Sequence, residues 1–552
     1  MPNPISVGID LGTTFSVAAY VNENGQPQVI YNQSQNNAVN IPSVVCYASD
    51  TNIVVGEAAL SEAEITPEKV IRSAKRFIGE AFTPPAGVPQ DETPVKFESK
   101  VLAAIKKYVE AQDFEIRNAV ITVPAYFDFN KIELTKQAAK IAGIDVLGVI
   151  NEPMAAAIYY CMNQKPENQK LLVYDLGGGT FDSVIIECRM ENEVLNIVTL
   201  ASDGNHQLGG DDWDRCLMSL LLKLAHEKNS DIPSDVSELE PEDRQMLWQK
   251  ANEIKANLSD KEEKNTVLKI NGTRVTDLLV TREDFKNETE HLLRQTGRKV
   301  DCVLEQAKLS EKDIDLVLLV GGSTFMPMVQ EYVRERFGAD KVKLNAPNLA
   351  VAYGAALYAS NIVAYGTGEG NTETGTTLGT TPVGGGLTKN KINVIPMASH
   401  SIGVCFHEEG QYFVENMIFK GDELPKQVEE SAFSSEHDEG FCAFFYNNIS
   451  AEKNIEVVKN PCATMPDDTY LACDSRVELS YLGSLEFRDE RIQAGDLIKV
   501  VITAGQDGIF ADVTHIKTGV EKRINFENKD TLKPGELITE VADLKGKMIG
   551  LN

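Results

Sequence analysis

Basic residues are scarce in this 552-residue chain: 53 Lys and Arg stand against 82 Asp and Glu, a formal charge of −29. A protein that grips a nucleic-acid backbone needs clustered cations, so nucleic acid is excluded as a partner. Long apolar runs are missing too. The longest candidates, such as Leu316–Val320, are strand-length, against about 18 residues for a bilayer span, so no membrane association is expected. Cysteine pairs are also lacking: the nine cysteines are odd in number, scattered from Cys46 to Cys473, and contain no C-x-x-C. That excludes a zinc site of the C-x-x-C type and a disulfide frame, and fits thiols in a reducing compartment. Met1–Ile5 offers neither a basic nor an apolar leader segment, and the last residues carry no retention signal. A cytoplasmic location is therefore expected.

What remains is an ordinary globular composition, 42% hydrophobic and 24% charged, which rules out reading the acidity as disorder. The first part of the chain alternates short apolar strands with amphipathic helices: strands at Ala119–Val123 and Val146–Ile150, helices at Asn130–Ala142 and Pro153–Met162. This is an α/β rhythm. From Gly366 to Gly386 Gly and Thr dominate, which is linker chemistry. Beyond it strands alternate: Gln411–Val414, Phe441–Tyr446, and Leu497–Ala504 facing Ile509–His515 across Gly505-Gln506-Asp507-Gly508. Glycines at both ends of that tetrapeptide predict a hairpin. The expected organisation is residues 1–365 as one α/β unit, 366–390 as linker, 391–530 as a β unit, and 531–552 as a tail. In that tail only Glu536–Lys547 has helical periodicity, with Leu537, Ile538, Val541 and Leu544 on one face.

One repeat is more informative than composition. Gly8-Ile9-Asp10-Leu11-Gly12-Thr13-Thr14-Phe15-Ser16-Val17 recurs as Val173-Tyr174-Asp175-Leu176-Gly177-Gly178-Gly179-Thr180-Phe181-Asp182. Each copy is an apolar strand ending in Asp, a glycine turn, and a second apolar strand. Such a hairpin tip exposes backbone N–H groups that can approach an oxyanion, while the Asp can hold Mg²⁺ through water. One loop alone would be an ordinary tight turn; two facing each other would grip a polyphosphate. A third turn, Gly321-Gly322-Ser323-Thr324, follows the strand Leu316–Val320 and precedes a helix expected over Met326–Phe337. Its glycines suit close packing against a nucleoside.

These loops resemble those of the seventy-kilodalton heat-shock chaperone family, the DnaK type. Further matches are Ala74-Lys75-Arg76-Phe77-Ile78-Gly79, Val123-Pro124-Ala125-Tyr126-Phe127, Asn151-Glu152-Pro153, Leu208-Gly209-Gly210 and Val351-Ala352-Tyr353-Gly354-Ala355-Ala356. The resemblance implies an actin-like, duplicated bilobed ATPase domain followed by an antiparallel β-sandwich that binds substrate. It implies ATP/ADP and Mg²⁺ as cofactors, with Asp10 and Asp175 on the hydrated metal. Gly12, Thr13, Thr14, Phe15, Gly177, Gly178 and Thr180 would line the phosphates. Lys75 would stabilise γ-phosphate charge, and Glu152 and Asp182 would orient or activate water, with Thr180 beside them in the catalytic set. Gly209, Gly210, Lys255, Ser259, Gly321, Gly322, Ser323, Phe325 and Asn348 would surround the nucleotide, and Phe441 and Ala443 would line a peptide cleft. Implied partners are unfolded or nascent polypeptides, a J-domain co-chaperone and a nucleotide-exchange factor.

The chain departs from the family pattern at the adenosine end. Asn252 stands where Glu is usual, Ala256 where Arg is frequent, Phe325 in place of Arg, and Asn348 in place of Asp. Phe325 offers an aromatic plane for a base. Gly148 replaces an Arg used by J-domain partners, and Asn390–Pro396 stands in for the family's acidic, leucine-rich linker. The segment between Arg76 and Asn118 is shorter than usual, Asn448–Glu478 has no family counterpart, and the tail after Thr531 is too short for a helical lid. Three functions follow in order: a peptide-binding, ATP-hydrolysing chaperone; an ATP-bound co-chaperone or scaffold of the ribosome-associated type; and a small-molecule kinase on the same fold.

Overall fold

The computed structural model describes residues 2–550 except 34–36, 50, 165–167, 366–390, 399, 409–410, 435–439, 449, 460–469, 475–476, 478, 506–507 and 527–533. The repeat folds as two hairpins. Asn3–Leu11 pairs antiparallel with Phe15–Val21, Leu11 opposite Ser16; Asn168–Leu176 pairs antiparallel with Phe181–Glu191, Leu176 opposite Phe181. Each hairpin is the centre of a six-stranded sheet. In the first, Asn3–Leu11 also runs parallel to Phe114–Val123; in the second, Asn168–Leu176 runs parallel to Leu316–Val320, the span expected from sequence. We call the two halves lobe I and lobe II. Their central strands read as near-continuous apolar runs because both faces are covered.

Between the sheets lie the helices Glu152–Gln164 and Ala350–Tyr365, which bury Ala155, Ala156, Ala157, Ala352, Ala355 and Ala356 in a core shared by both lobes. Small residues are required here. A Cβ on Gly354 would lie 1.7 Å from the Ala155 carbonyl oxygen, and one on Gly8 would lie 2.0 Å from the Ala356 nitrogen. Lobe I also carries the helix Pro94–Glu110, started by Pro94 at its first position and by the Thr93 hydroxyl accepting from the Lys96 amide.

The β unit is two antiparallel sheets of six and four strands. Val404, Phe445 and Leu485 from one meet Val500, Ile502, Ala511 and Val513 from the other in a single core, which makes a sandwich. The expected hairpin is present as Leu497–Gly505 against Gly508–His515, Gly505 opposite Gly508; its two turn residues lie outside the described residues, as does the expected linker 366–390. The stand-in for the family linker forms the strand Lys391–Ile395, parallel to Val194–Asn205 at the edge of the lobe II sheet, Ile392 opposite Leu195. Of Asn448–Glu478, the strands Asn454–Lys459 and Tyr470–Ala472 extend the larger sheet.

The tail corrects one expectation. Its helix spans Pro534–Gly546, but Ile538 is 70% exposed; Leu544 is buried and Leu537 packs beside it on lobe I. The helix lies against the lobe by a narrow stripe one heptad long, so a four-residue apolar face overstates what is covered. A strand the sequence did not signal, Met548–Gly550, follows and pairs parallel with Asn52–Val55 in lobe I. Among the described residues no helix is long and apolar enough to cross a membrane, and all eight described cysteines are free.

Candidate functional site

The tips of the two hairpins face each other across a cleft of about 720 Å³, within the usual range for small-molecule sites. One wall carries Asp10, Gly12, Thr13, Thr14, Phe15 and Glu152; the opposite wall carries Asp175, Gly177, Gly178 and Thr180. The lining is completed by Lys255, Ser259, Gly321, Gly322, Ser323, Phe325 and Asn348. Residues scattered over more than 330 positions of sequence thus converge on one cavity. Lys75 and Asp182 lie just beneath its surface, 3% and 1% exposed. Gly209 and Gly210 sit under the second tip, where the Gly210 amide donates to the Gly177 carbonyl at 3.0 Å and a Cβ on Gly209 would lie 2.5 Å from the Gly179 carbonyl carbon. Ala443 is elsewhere, buried in the sandwich core beside Phe445. Strand alternation aims position 443 inward, so it faces the core and not an open cleft. The Phe441 side chain lies outside the described residues.

Local hydrogen bonds fix the tips. The Ser43 hydroxyl donates to the Gly12 carbonyl at 2.8 Å, the Gly177 amide to the Thr180 carbonyl at 3.0 Å, and the Ser323 hydroxyl to the Gly177 carbonyl at 2.8 Å. The Thr14 hydroxyl is buried and, among the described residues, without a partner. Lys75 rides on the short 3₁₀ turn Ala74–Phe77 after Ser73, which has φ 56°. Its ammonium donates to the Leu11 carbonyl and, at 2.9 Å, to Glu152. Lys255 pairs with buried Asp214 at 2.7 Å.

Electrostatically the site has too much negative charge for the cations it holds. Burial first, and then Glu152, push the Asp10 carboxyl up to about 7, with Lys75 pulling the other way. Burial and the neighbouring carboxylates push Asp175 and Asp182 up as well. Burial alone would lower Lys75, but Glu152, Glu98 and Asp10 together hold its ammonium above the usual lysine range. Apart from an approach of the Ala125 amide, neither Asp182 oxygen has a hydrogen-bond partner among the described residues. Such a set fits a divalent cation, which would neutralise charge that proton uptake otherwise must. Among the described residues no group of three or more His, Cys, Asp or Glu side chains could enclose an ion. The residues therefore fit a metal carried largely by water and phosphate oxygens, as Mg²⁺ prefers.

Sequence reasoning missed two features. The first is Glu98, 2% exposed, with both carboxylate oxygens unpartnered among the described residues, in the field of Lys75 and Glu152. The signal was available: it sits three residues after Val95 and four before Leu102 on the buried stripe of Pro94–Glu110. Burial pushes its carboxyl up to about 7. Between the ordinary value of 4.5 and 7, the unfolded chain has lost a proton that the native chain keeps, so this group's stabilisation is complete at low pH and lost as pH rises through 7. Glu98→Gln should match wild type below about pH 4 and be more stable at pH 8, on the order of 3 kcal/mol. Denaturant midpoints at the two pH values check this; parallel curves for both proteins would refute it.

The second is a set of bonds that bridge the lobes at the cleft mouth. Ser73 donates to Asp211 at 2.8 Å, Arg76 pairs with Asp212 at 3.0 Å, and the Arg72 guanidinium stacks 3.9 Å over Trp248 while donating to Gln245 at 2.7 Å. No short motif links residues so far apart in sequence.

A family model described as Hsp70 protein matches residues 6–91 and 86–372 of the chain. The chaperone protein DnaK of Thermotoga neapolitana is 36% identical over 432 residues, covering 75% of this chain and 70% of that protein. The DnaK of Mesomycoplasma hyopneumoniae strain J is 39% identical over 365 residues, covering 65% and 58%. With two facing hairpin tips, a cleft ringed by the matched motifs and a β-sandwich behind it, the chain belongs to the Hsp70 family of ATP-hydrolysing chaperones.

Proposed function

We propose that the cleft binds ATP as its Mg²⁺ complex and hydrolyses it, with the roles divided between the lobes. The convergence of the two hairpin tips on one cavity carries this reading. Amides and hydroxyls of Gly12–Phe15 and Gly177–Thr180 receive the phosphates from opposite sides, and Asp10 and Asp175 would hold the metal. Lys75, oriented by Glu152 and the Leu11 carbonyl, meets the charge that builds on the transferring phosphoryl group. Glu152 and Asp182, with Thr180, orient the attacking water; burial and Glu152 raise the Asp182 carboxyl above the usual carboxylate range, which favours it as a proton acceptor for that water. When bound, Mg²⁺ supplies neutralisation of phosphate charge.

At the nucleoside end, Lys255, Ser259, Gly321–Ser323 and Asn348 form the pocket, and Phe325, 42% exposed at its rim, stacks on the base. Replacing Phe325 by alanine should weaken ATP binding about 10-fold, the usual worth of one base–aromatic stack. Equilibrium titration with ATP measures it, and unchanged affinity would remove Phe325 from the site.

The sandwich unit binds exposed apolar segments of unfolded or nascent polypeptides in the cytoplasm, with a J-domain co-chaperone and an exchange factor as further partners. Position 148 supplies no guanidinium to such a partner; a Cβ there would meet only Ile362, at 3.5 Å. Single-turnover hydrolysis, together with titration of an unfolded apolar peptide into the full chain, tests the whole reading. No hydrolysis under single-turnover conditions would sink the enzymatic role, and no peptide binding would sink the chaperone role.

A further inference from the structure

We propose that the C-terminal segment 534–550 is a second tether that ties the sandwich to lobe I, so that the sandwich is strung between the two lobes of the cleft. The first anchor is the strand Lys391–Ile395, through which the chain enters the sandwich while paired with Val194–Asn205 of lobe II. The second lies where the chain leaves it. Met548, Ile549 and Gly550 stand opposite Asn52, Ile53 and Val54 in a parallel pairing that covers the free edge of a lobe I sheet. An open strand edge is a ready template for an added strand, and here the occupant is this chain itself.

Side chains lock the segment in place. Leu544 is 8% exposed and belongs to the lobe I core, with Leu537 and Ile549 packed against that core. Lys96 pairs with Glu540 at 2.9 Å as well as with Asp91 at 2.8 Å, and the Lys107 ammonium donates to the Ile549 carbonyl at 2.7 Å. A third contact lies between the anchors: Phe129 of lobe I packs against the sandwich core, and a Cβ on Gly508 would lie 3.2 Å from its ring. Held at both ends, the sandwich cannot follow one lobe without loading the strand on the other.

The consequence rests on the nucleotide reading above. A ligand gripped by both hairpin tips sets the separation of the lobes, and that separation is felt at both anchors. By thermodynamic reciprocity, releasing one anchor must alter the other anchor and the affinity of the cleft.

Hydrogen exchange on the full chain, recorded without nucleotide, tests the tether directly. Leu544→Asp places a charge in the lobe I core and should raise exchange of the Ile53–Val55 amides at least tenfold. In the same protein, exchange at Lys391–Ile395 should rise at least threefold, and ATP affinity should change at least threefold. Should Leu544→Asp not accumulate as folded protein, the charge pair decides: Glu540→Lys should show the same pattern more weakly, and Lys96→Glu combined with Glu540→Lys should reverse it. Deprotection of Ile53–Val55 with unchanged exchange at Lys391–Ile395 would overturn the proposal. A wild-type chain that binds no ATP would count against the nucleotide reading alone, since the link between the anchors is measured without nucleotide.

Discussion

Lys75→Ala should lower the single-turnover rate of ATP hydrolysis by on the order of 10²- to 10³-fold, the range seen when one preorganised electrostatic group is removed from a transition state. The magnitude follows from the surroundings. Lys75 is 3% exposed and lies in the field of Asp10, Glu98 and Glu152. Alanine removes the charge that the γ-phosphoryl group would meet, and it also leaves Glu152 without its 2.9 Å partner. Deprived of Lys75, Asp10 and Glu98 lose the one influence that lowers both of them and shift further toward the protonated form. Breaking a buried ion pair on one side costs about 3–5 kcal/mol. The rate must therefore be read beside ATP binding: a folded variant that binds ATP within a few-fold of wild type yet fails to hydrolyse it isolates the chemical role. Hydrolysis within threefold of wild type would remove Lys75 from the chemistry.

Gly354→Ala should cost more stability than any other conservative change considered above. Its Cβ would be placed 1.7 Å from the Ala155 carbonyl oxygen and 2.4 Å from the carbonyl carbon, both of them backbone atoms of a helix that cannot swing aside as a side chain can. Relief requires the helices Glu152–Gln164 and Ala350–Tyr365 to separate by more than an ångström, which would open the core that both lobes share. Overpacking costs about 1–3 kcal/mol where side chains can yield, and a backbone collision belongs above that. A loss of about 4 kcal/mol or more is expected, out of the roughly 5–15 kcal/mol that holds a domain together. The denaturant midpoint of the first unfolding transition, or the yield of soluble protein, records it. Gly322→Ala is the control, since a Cβ there meets nothing within 4 Å. Equal midpoints for Gly354→Ala and wild type would show that the close approach is not a real constraint.

The hairpin tips were legible because their chemistry is local: an apolar run, an Asp, a glycine turn and a second apolar run fit within ten residues. The strands at Leu316–Val320 and on either side of Gly505–Gly508 were legible for the same reason, since both ends carry turn or helix signals. What stayed hidden depends on partners remote in sequence. Nothing near Arg72 announces Trp248, and nothing near Met548 announces Asn52. Ala443 shows a different limit: alternation separates the two faces of a strand but does not say which one a second sheet covers. Glu98 was readable and overlooked, because a lone carboxylate on an apolar stripe passes for noise until the stripe is known to be buried.

The alanine-rich seam between the lobes has a mechanical meaning as well as a steric one. Alanine and glycine have no rotamers to interlock, so where Ala155–Ala157 meets Ala352, Gly354, Ala355 and Ala356 the surfaces lie in low relief, with the Tyr159 and Tyr353 rings packed beside them, centroids 5.1 Å apart. Where large side chains interdigitate, one helix can slide past another only by repacking knobs into new holes. Here the faces work as a plain bearing: they resist being pressed together or pulled apart, yet allow a small shear at little cost. Such a seam favours a small rotation of one lobe against the other over prying the cleft straight open.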